Sequence, residues 1–339
     1  MFQVECMRGT DMKEVAIPML FAAAVSLSLV ATGARAEESS PEGSVDALNG
    51  VFGIHKGARA VHAKGTVLTG TFTASPSAAG LSTAPHLQEG ATIPITVRFS
   101  NFAGVPTIAD NDGLASPRGI AIKFKLADGS ESDIVAHSFN GFPSATTAEF
   151  RELLVALGAS KPDTPKPTPL DKFLATHPIA KAFLTAPKPN PESYATLPYF
   201  GVNSFKFTNK DGKATFARYQ ILPMAGEHYL SEADAKAASA TYLSDEIKKR
   251  VHEGPITFRL VAQIAGDGDK IADPSIAWPA DRKTVTLGTI SISADAGDDA
   301  ANQQLVFMPS AVPTGIEPAD PMIGDRAAAY AVSFARRHP

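Results

Sequence analysis

Short stretches in which apolar and polar residues alternate recur along most of the chain, and this period of two is typical of β-strands. The pattern predicts strands at residues 60–67, 70–74, 92–100, 119–126, 133–138, 203–208, 214–222, 257–265 and 284–293. Turn residues join some neighbours, namely Asp128-Gly129 and Lys210-Asp211-Gly212. Tight turns of this kind connect antiparallel strands.

A helical period takes over in four other stretches. Residues 147–157 place apolar side chains on one face, Thr146 can cap the helix, and Glu149 can complete a capping box. The same period predicts helices at residues 170–184, 231–252 and 323–337. Proline-rich connectors at residues 161–169 and 187–198 separate these segments.

The order of these elements predicts the fold class. Strands and helices do not alternate as they do in parallel α/β proteins, and no internal repeat is visible. We predict an α+β protein, a closed antiparallel β-barrel of about eight strands with inserted and C-terminal helices. One domain would span residues 48–338, after a flexible polar segment at residues 37–47.

The first 36 residues resemble an export signal. Residues 15–30 are apolar, follow Met12-Lys13, and end at the cleavage pattern Ala34-Arg35-Ala36. An uncleaved membrane anchor is the alternative, but it would need about 20 apolar residues. We therefore expect a periplasmic protein without stable membrane insertion.

The amino-acid composition limits which partners and which catalytic chemistry this chain can have. Of the 339 residues, 44% are hydrophobic, and the net charge of −4 does not favour nucleic acid as a partner. The one cysteine, Cys6, lies in the predicted leader. The mature chain would have no thiol, which excludes disulfides, thiol-dependent peroxidase chemistry and thiolate-bound metals.

Three short motifs carry candidate chemistry: RAVHAKG (59–65), VRFSNFAG (97–104) and RAAAY (326–330). His62 is a candidate acid–base, and Tyr330 lies one helical turn after Arg326, whose cation would favour a phenolate. Taken singly, each has an ordinary structural interpretation. Together they favour a tyrosinate-bound ferric haem with an acid–base on its other face.

These motifs resemble the haem catalase superfamily, in particular its small periplasmic branch, the catalase-related peroxidases. PRGIAIKF (117–124) and residues 133–135 are similar to further core strands of the family, and residues 200–220 to a later hairpin. GIEPADPMIGDRAAAYAVSFARR (315–337) is similar to the segment that carries the iron ligand. The resemblance covers nearly the whole mature chain and implies the catalase-type barrel.

The resemblance also implies roles for individual residues. Tyr330 would bind ferric iron, of haem b in our expectation, with Arg326 beside it. His62 would be the distal acid–base, which Ser100 orients. The predicted contacts to the haem propionates and porphyrin come from Arg59, Arg98, Arg337 and Phe150. We find no fingerprint for a nicotinamide cofactor.

This chain departs from the family just after residues 133–135, which match one of the family's core strands. Catalases carry two adjacent asparagines there, whereas this chain has His137 and Ser138, with Asn140 two residues later. The substitution should weaken peroxide dismutation, which needs a second peroxide held as electron donor. The C-terminal extension of large catalases is also absent from this sequence.

We therefore predict a peroxidase for organic peroxides and hydrogen peroxide that uses a small-molecule electron donor and has weak catalase activity at most. It would be a monomer or a small homo-oligomer. The alternatives are a true catalase, an enzyme that rearranges lipid hydroperoxides, a non-catalytic haem-binding protein, and a barrel without haem.

Overall fold

Helices flank the barrel strands and follow them in the chain. The structure, a computed structural model, describes residues 40–297 and 299–338. The predicted leader, residues 1–36, lies outside them. The helices of the described residues are α1 (Pro41–Phe52), α2 (Thr147–Gly158), α3 (Pro169–Thr176), α4 (Pro178–Thr185), α5 (Glu232–Ala237), α6 (Tyr242–Glu253), α7 (Asp299–Gln304) and α8 (Met322–Arg337). None of these helices has the length and apolar character that crossing a bilayer requires.

The strands follow the predicted alternation closely. They are β1 (Gly65–Ala74), β2 (Thr92–Ser100), β3 (Gly119–Lys125), β4 (Glu131–His137), β5 (Tyr199–Phe200), β6 (Phe205–Thr208), β7 (Ala214–Pro223), β8 (Ile256–Ile264), β9 (Thr284–Asp295) and β10 (Ile316–Pro318). All the pairings between them are antiparallel.

Eight of these strands close into a barrel. Neighbours pair in the order β1-β2-β3-β4-β5-β7-β8-β9, and β9 pairs back with β1. The remaining two, β6 and β10, extend the sheet beside β7. The predicted closed antiparallel barrel with added helices is confirmed.

Strands β2 to β4 have two faces with different functions. Val97, Phe99 and Ile120 point into the barrel, where they join the main hydrophobic core. The alternate positions, such as Arg98 and Ser100, face outward and line a cavity. The period of two thus separates a hydrophobic core from a polar wall.

Helices α1, α2 and α8 pack against one another, and residues of all three line the cavity. A hydrogen bond from Thr147 Oγ1 to Asp325 Oδ2 (2.8 Å) connects the first turns of α2 and α8. The helices therefore cover the outward face of β2 to β4.

The expectation of a flexible segment at residues 37–47 is wrong for residues 41–47, which form most of α1. Ser40 Oγ accepts a hydrogen bond from the Gly43 N–H (3.0 Å), and Pro41 occupies the first helical position. Val45 is only 2% exposed. The segment is polar because one side of the helix faces solvent, while its few apolar residues pack inward.

Two predicted helices are interrupted. The segment at residues 170–184 breaks at His177 because Pro178 disfavours a helical residue before it. The segment at residues 231–252 breaks at Ala238, which has an extended backbone. The first predicted strand, residues 60–67, begins only at Gly65, so His62 lies in the loop before it.

Candidate active site

One cavity brings together residues from the loop before β1, from β2 to β4 and from α8. Its walls include every predicted site residue, namely Arg59, His62, Arg98, Ser100, Phe150, Arg326, Tyr330 and Arg337. Most of the remaining wall is apolar. Residues far apart in sequence therefore form one site.

The backbone of the loop holds His62 in an uncommon conformation. Its φ of 55° is in the left-handed region, and no other described non-glycine residue has a positive φ. The His62 N–H donates to the Phe102 carbonyl (2.7 Å), and Arg98 Nη2 donates to the His62 carbonyl (2.9 Å). These bonds offset a conformational cost of about 1 kcal/mol and direct the imidazole towards the cavity.

The His62 ring is fixed by two neighbours. Its Nδ1 forms a hydrogen bond with Ser100 Oγ (3.0 Å), which leaves Nε2 for another partner. The Phe102 ring packs edge-on against it, with centroids 5.5 Å apart. Burial, followed by the charges of Arg98, His137 and Arg326, lowers the His62 pKa from 6.5 to about 3. The imidazole is therefore neutral near pH 7.

Gly119 provides the space that the His62 ring occupies. A Cβ atom at this position would lie 2.6 Å from Ser100 Oγ and 2.8 Å from His62 Nδ1. Gly119 is paired with Ser100 on β2 and with His137 on β4. Gly119 belongs to the motif PRGIAIKF, but nothing in the sequence predicted that it makes room for His62.

Helix α8 presents one face to the cavity. Arg326, Tyr330, Ser333 and Arg337 are spaced by four, three and four residues, so they follow one helical stripe. Arg326 Nη2 donates a hydrogen bond to the Tyr330 hydroxyl (2.9 Å). The helical spacing predicted this pair.

Two further residues hold Arg326 in place. Arg326 Nη1 donates to Asn203 Oδ1, and Asn203 Nδ2 donates to Asp320 Oδ2 (2.6 Å). Asn203 and Asp320 are both buried. No sequence pattern predicted this support, because Asn203 lies in the loop before β6, more than 100 residues from α8.

A cluster of three arginines lies at the cavity wall. Arg59 Nη2 and Arg337 Nη2 both donate to the Leu305 carbonyl, at 2.8 and 2.9 Å, and Arg98 donates to loop carbonyls. No carboxylate among the described residues forms an ion pair with any of the three. Burial, with the like charges of Arg98 and Arg337, lowers the Arg59 pKa to about 8. The cluster lacks a counter-anion from the described chain.

Aromatic side chains form much of the apolar wall. Phe150 packs on Phe142, with centroids 4.9 Å apart, and both line the cavity. Phe102 and Phe183 are additional wall residues that we did not predict. Such a wall suits the flat, apolar faces of a porphyrin.

The residues in place of the family's asparagines separate in space. His137 lines the cavity, and neither of its ring nitrogens has a hydrogen-bond partner among the described residues. Ser138 Oγ accepts a hydrogen bond from the Arg118 N–H (2.9 Å). Buried Arg118 donates to Asn101 Oδ1, the Ala115 carbonyl and Asn190 Oδ1, which indicates a structural function.

The donor set fits a haem. Tyr330 offers an oxygen ligand with a cation beside it, His62 is a neutral imidazole, and the arginines that form no ion pair with a carboxylate of the described residues would match two propionates. No histidine, cysteine and carboxylate cluster that would suit a separate metal ion exists among the described residues.

Comparison with known proteins agrees with this geometry. The chain matches the catalase family over residues 56–338. It is 40% identical over 303 residues to a catalase-related peroxidase of Mycolicibacterium paratuberculosis (strain ATCC BAA-968 / K-10), covering 88% of this chain and 95% of that protein. It is 32% identical over 319 residues to a catalase-related peroxidase of Synechococcus elongatus, covering 92% and 93%.

Larger relatives match over part of their length. A Bacillus subtilis protein named Catalase-2 is 26% identical, and the match covers 80% of this chain but 42% of that protein. A crystal structure of a fungal catalase superposes with a TM-score of 0.73 at 20% identity, covering 83% of this chain and 59% of that one. The family match spans most of the chain, and the chain therefore belongs to the catalase family, which implies a haem cofactor.

Proposed function

We propose that the protein is a haem-dependent peroxidase. It would reduce organic peroxides and hydrogen peroxide with electrons from an external small-molecule donor, and would have weak catalase activity at most. The observation that carries this proposal is that the Ser100-bound His62 and the Arg326-bound Tyr330 line one cavity beside three arginines that have no carboxylate partner among the described residues.

His62 would move the proton that peroxide cleavage requires. When its Nδ1–H donates to Ser100 Oγ, Nε2 is free to take a proton from one peroxide oxygen. The same nitrogen then returns the proton to the departing oxygen, which leaves as water or an alcohol. Because Arg98 and burial disfavour the imidazolium, His62 would hold the proton only briefly.

Tyr330 would hold the cofactor as a phenolate. Arg326 is positioned to stabilise the negative oxygen, and Asn203 and Asp320 keep Arg326 in place. When bound, the haem supplies the iron at which the peroxide is reduced, and a phenolate ligand favours its ferric state. We expect haem b, since the one cysteine of the sequence rules out a C-x-x-C-H attachment motif.

Two features favour a peroxidase over a true catalase. His137 stands where the catalases that this sequence resembles have an asparagine. A second hydrogen peroxide, which would act as the reductant, should therefore bind less well. Two relatives that this chain matches over nearly their whole length are named catalase-related peroxidase.

Optical spectra of the parent protein and of Tyr330→Phe test the proposal. The protein supplied with haem should show a Soret band and oxidise a donor dye with an organic hydroperoxide. Tyr330→Phe should lose most of the haem because its iron loses the anionic ligand. Tyr229→Phe, which removes a hydroxyl bound to Glu227 instead, is the matched control.

Two results would contradict the proposal. The absence of a Soret band in parent protein supplied with haem would favour a barrel without haem. Oxygen release near the rate of a true catalase, without dye oxidation, would favour a catalase.

We also propose that the protein acts in the periplasm as a monomer or a small homo-oligomer. The apolar run at residues 15–30 and the pattern Ala34-Arg35-Ala36 support export. Cell fractionation and N-terminal sequencing test this, since the mature chain should begin at Glu37. Light scattering of the purified protein measures its oligomeric state.

A further inference from the structure

Helices α3 and α4 leave apolar side chains uncovered. On α4, Ile179 is 40% exposed and Leu184 is 39% exposed, and no other helix of the described residues has two large apolar side chains exposed to this extent. Helix α3 carries Leu170, Phe173 and Leu174, none of which is buried. Because grouped, exposed apolar side chains mark interaction sites, these two helices are a candidate docking surface.

The same segment is positively charged, although the whole chain has a net charge of −4. Residues 161–188 contain five lysines and two aspartates, with no arginine or glutamate, which gives a local charge of +3. The lysines are Lys161, Lys166, Lys172, Lys181 and Lys188. None of them forms an ion pair with a carboxylate of the described residues. Their positive charge is therefore available to an anionic partner.

Helix α4 also forms part of the cavity wall. Phe183 lines the cavity and lies four residues after Ile179 and one before Leu184. Its ring packs edge-on against Phe139, with centroids 5.0 Å apart, and Lys188 Nζ lies 4.8 Å from the centroid of each ring. The exposed apolar residues of α4 are therefore within about one helical turn of a side chain that lines the cavity.

The surface of an anionic phospholipid bilayer fits this combination of side chains. Amphipathic helices bind such a surface when their apolar side chains enter the headgroup region and their lysines contact the acidic headgroups. A second copy of the chain fits less well. A symmetric dimer through this surface would place the same lysine-rich segments of two copies against each other, and like charges repel.

We propose that α3 and α4 dock the protein peripherally on an anionic phospholipid bilayer. Ile179 and Leu184 enter the headgroup region, and Lys172 and Lys181 contact the acidic headgroups. The docked protein takes apolar hydroperoxides that partition into the bilayer. Docking is independent of the catalytic chemistry, whereas the use of these hydroperoxides rests on the proposed peroxidase function.

Sedimentation of the haem-loaded protein with vesicles tests the electrostatic part of docking. The protein should pellet with vesicles that contain phosphatidylglycerol, and much less with vesicles of phosphatidylcholine alone. Lys172→Gln combined with Lys181→Gln should weaken binding by roughly 25-fold, since each lysine near an anionic surface contributes a factor of about five. Lys210→Gln combined with Lys213→Gln, which removes two exposed lysines between β6 and β7, is the matched control.

A second substitution tests the apolar part. Leu184→Ser should weaken binding to the phosphatidylglycerol vesicles by roughly 10-fold, because the bilayer no longer covers the leucine side chain. Met224→Ser is the control, since Met224 is 60% exposed in the loop after β7.

Three results would overturn docking. The first is a parent protein that does not pellet with phosphatidylglycerol vesicles. The second is an equal loss of binding in the lysine control, which would show a general attraction to charge. The third is a dimer, seen by light scattering, that Leu184→Ser dissociates, which would show that the surface binds a second copy.

Dye oxidation separates docking from the peroxidase proposal. Lys172→Gln combined with Lys181→Gln should keep the parental kcat/KM for hydrogen peroxide but react roughly 10-fold more slowly with a phosphatidylcholine hydroperoxide carried in phosphatidylglycerol vesicles. Parental rates with both peroxides would refute the uptake of hydroperoxides from the bilayer. A parent protein that pellets with the vesicles but reacts with no peroxide would support docking and refute the peroxidase proposal.

Discussion

The surroundings of His62 determine its protonation state. An imidazole ordinarily titrates near 6.5, but burial and the charges of Arg98, His137 and Arg326 lower the His62 pKa to about 3. Since the Nδ1 bond to Ser100 Oγ leaves Nε2 available, the neutral ring can both accept and donate a proton between pH 5 and 8. The loop geometry thus selects the chemistry of this side chain.

His62→Ala should keep its haem but cleave peroxide more slowly by a factor on the order of 10²–10⁴, because the imidazole that would transfer the proton is removed. In the parent protein, kcat/KM for peroxide should show no inflection near pH 6.5, since His62 remains neutral there. Stopped-flow measurements from pH 5 to 8 check both points.

Substitution of the exposed His252 by alanine is the control for general effects of losing a histidine. A rate for His62→Ala equal to that of the parent would disprove the acid–base function.

Arg59 is a cation that forms no ion pair with a carboxylate of the described residues. Arg59→Leu should weaken haem binding by about 30-fold, or ~2 kcal/mol, because one propionate loses its cation. Haem dimethyl ester, which has no carboxylates, should bind the parent and Arg59→Leu with similar affinity. Titration of both porphyrins into the haem-free proteins measures this. An equal loss of affinity for haem and for its ester would show that Arg59 acts through packing instead.

At the scale of elements, the row formed by Ser100, Gly119 and His137 shows how a sheet builds the site. Adjacent strands are about 4.8 Å apart, so a three-strand row places polar groups on both sides of a central position. Gly119 leaves that central position open for His62. Helix α8 contributes another part of the wall through the single stripe from Arg326 to Arg337.

Gly119→Ala should displace the His62 ring, since the added Cβ would lie 2.8 Å from its Nδ1 and 2.6 Å from Ser100 Oγ. We expect slower peroxide cleavage, roughly 10-fold or more, with a spectrum that still reports Tyr330 ligation. Gly113→Ala, where an added Cβ meets no atom within 4 Å, is the matched control. If Gly119→Ala reacts at the parent rate, the register does not position His62.

At the scale of the whole molecule, the cavity lies where the outward face of the barrel meets helices α1, α2 and α8. Burial of polar groups, both in this cavity and in the barrel core, reduces stability in the haem-free state. His62, His86 and His137 all have lowered pKa values, about 3, 4 and 3, with burial as the largest cause.

The haem-free protein should therefore lose stability as the pH falls from 6.5 to about 4. In this range the unfolded chain binds protons at the three histidines and the folded chain does not, so protonation favours unfolding. Asp133 partly offsets this, because burial raises its folded pKa to about 6 and the folded protein takes up that proton first. Urea unfolding at pH 7 and pH 4.5 measures the change, and a constant midpoint would contradict it.

Much of this protein was predictable from local pattern. The alternation of residues 92–100 predicted β2 with its observed bounds, because one face is apolar and the other lines a cavity. The helical spacing of Arg326 and Tyr330 predicted their hydrogen bond, since residues four apart are neighbours on a helix. The prediction of flexibility was wrong for residues 41–47 because polarity alone does not reveal Val45, which α1 buries against its neighbours.

The sequence by itself determined the barrel and the helix that carries Tyr330 through its periodicity, and the candidate haem residues through motifs that resemble the catalase superfamily. Only the tertiary structure decided that Asn203 supports Arg326, that Gly119 makes room for His62, and that His137 lines the same cavity as His62. Each of these depends on contacts between residues that are far apart along the chain. Such contacts are set by strand register and by packing of helices on the barrel, which no local pattern encodes.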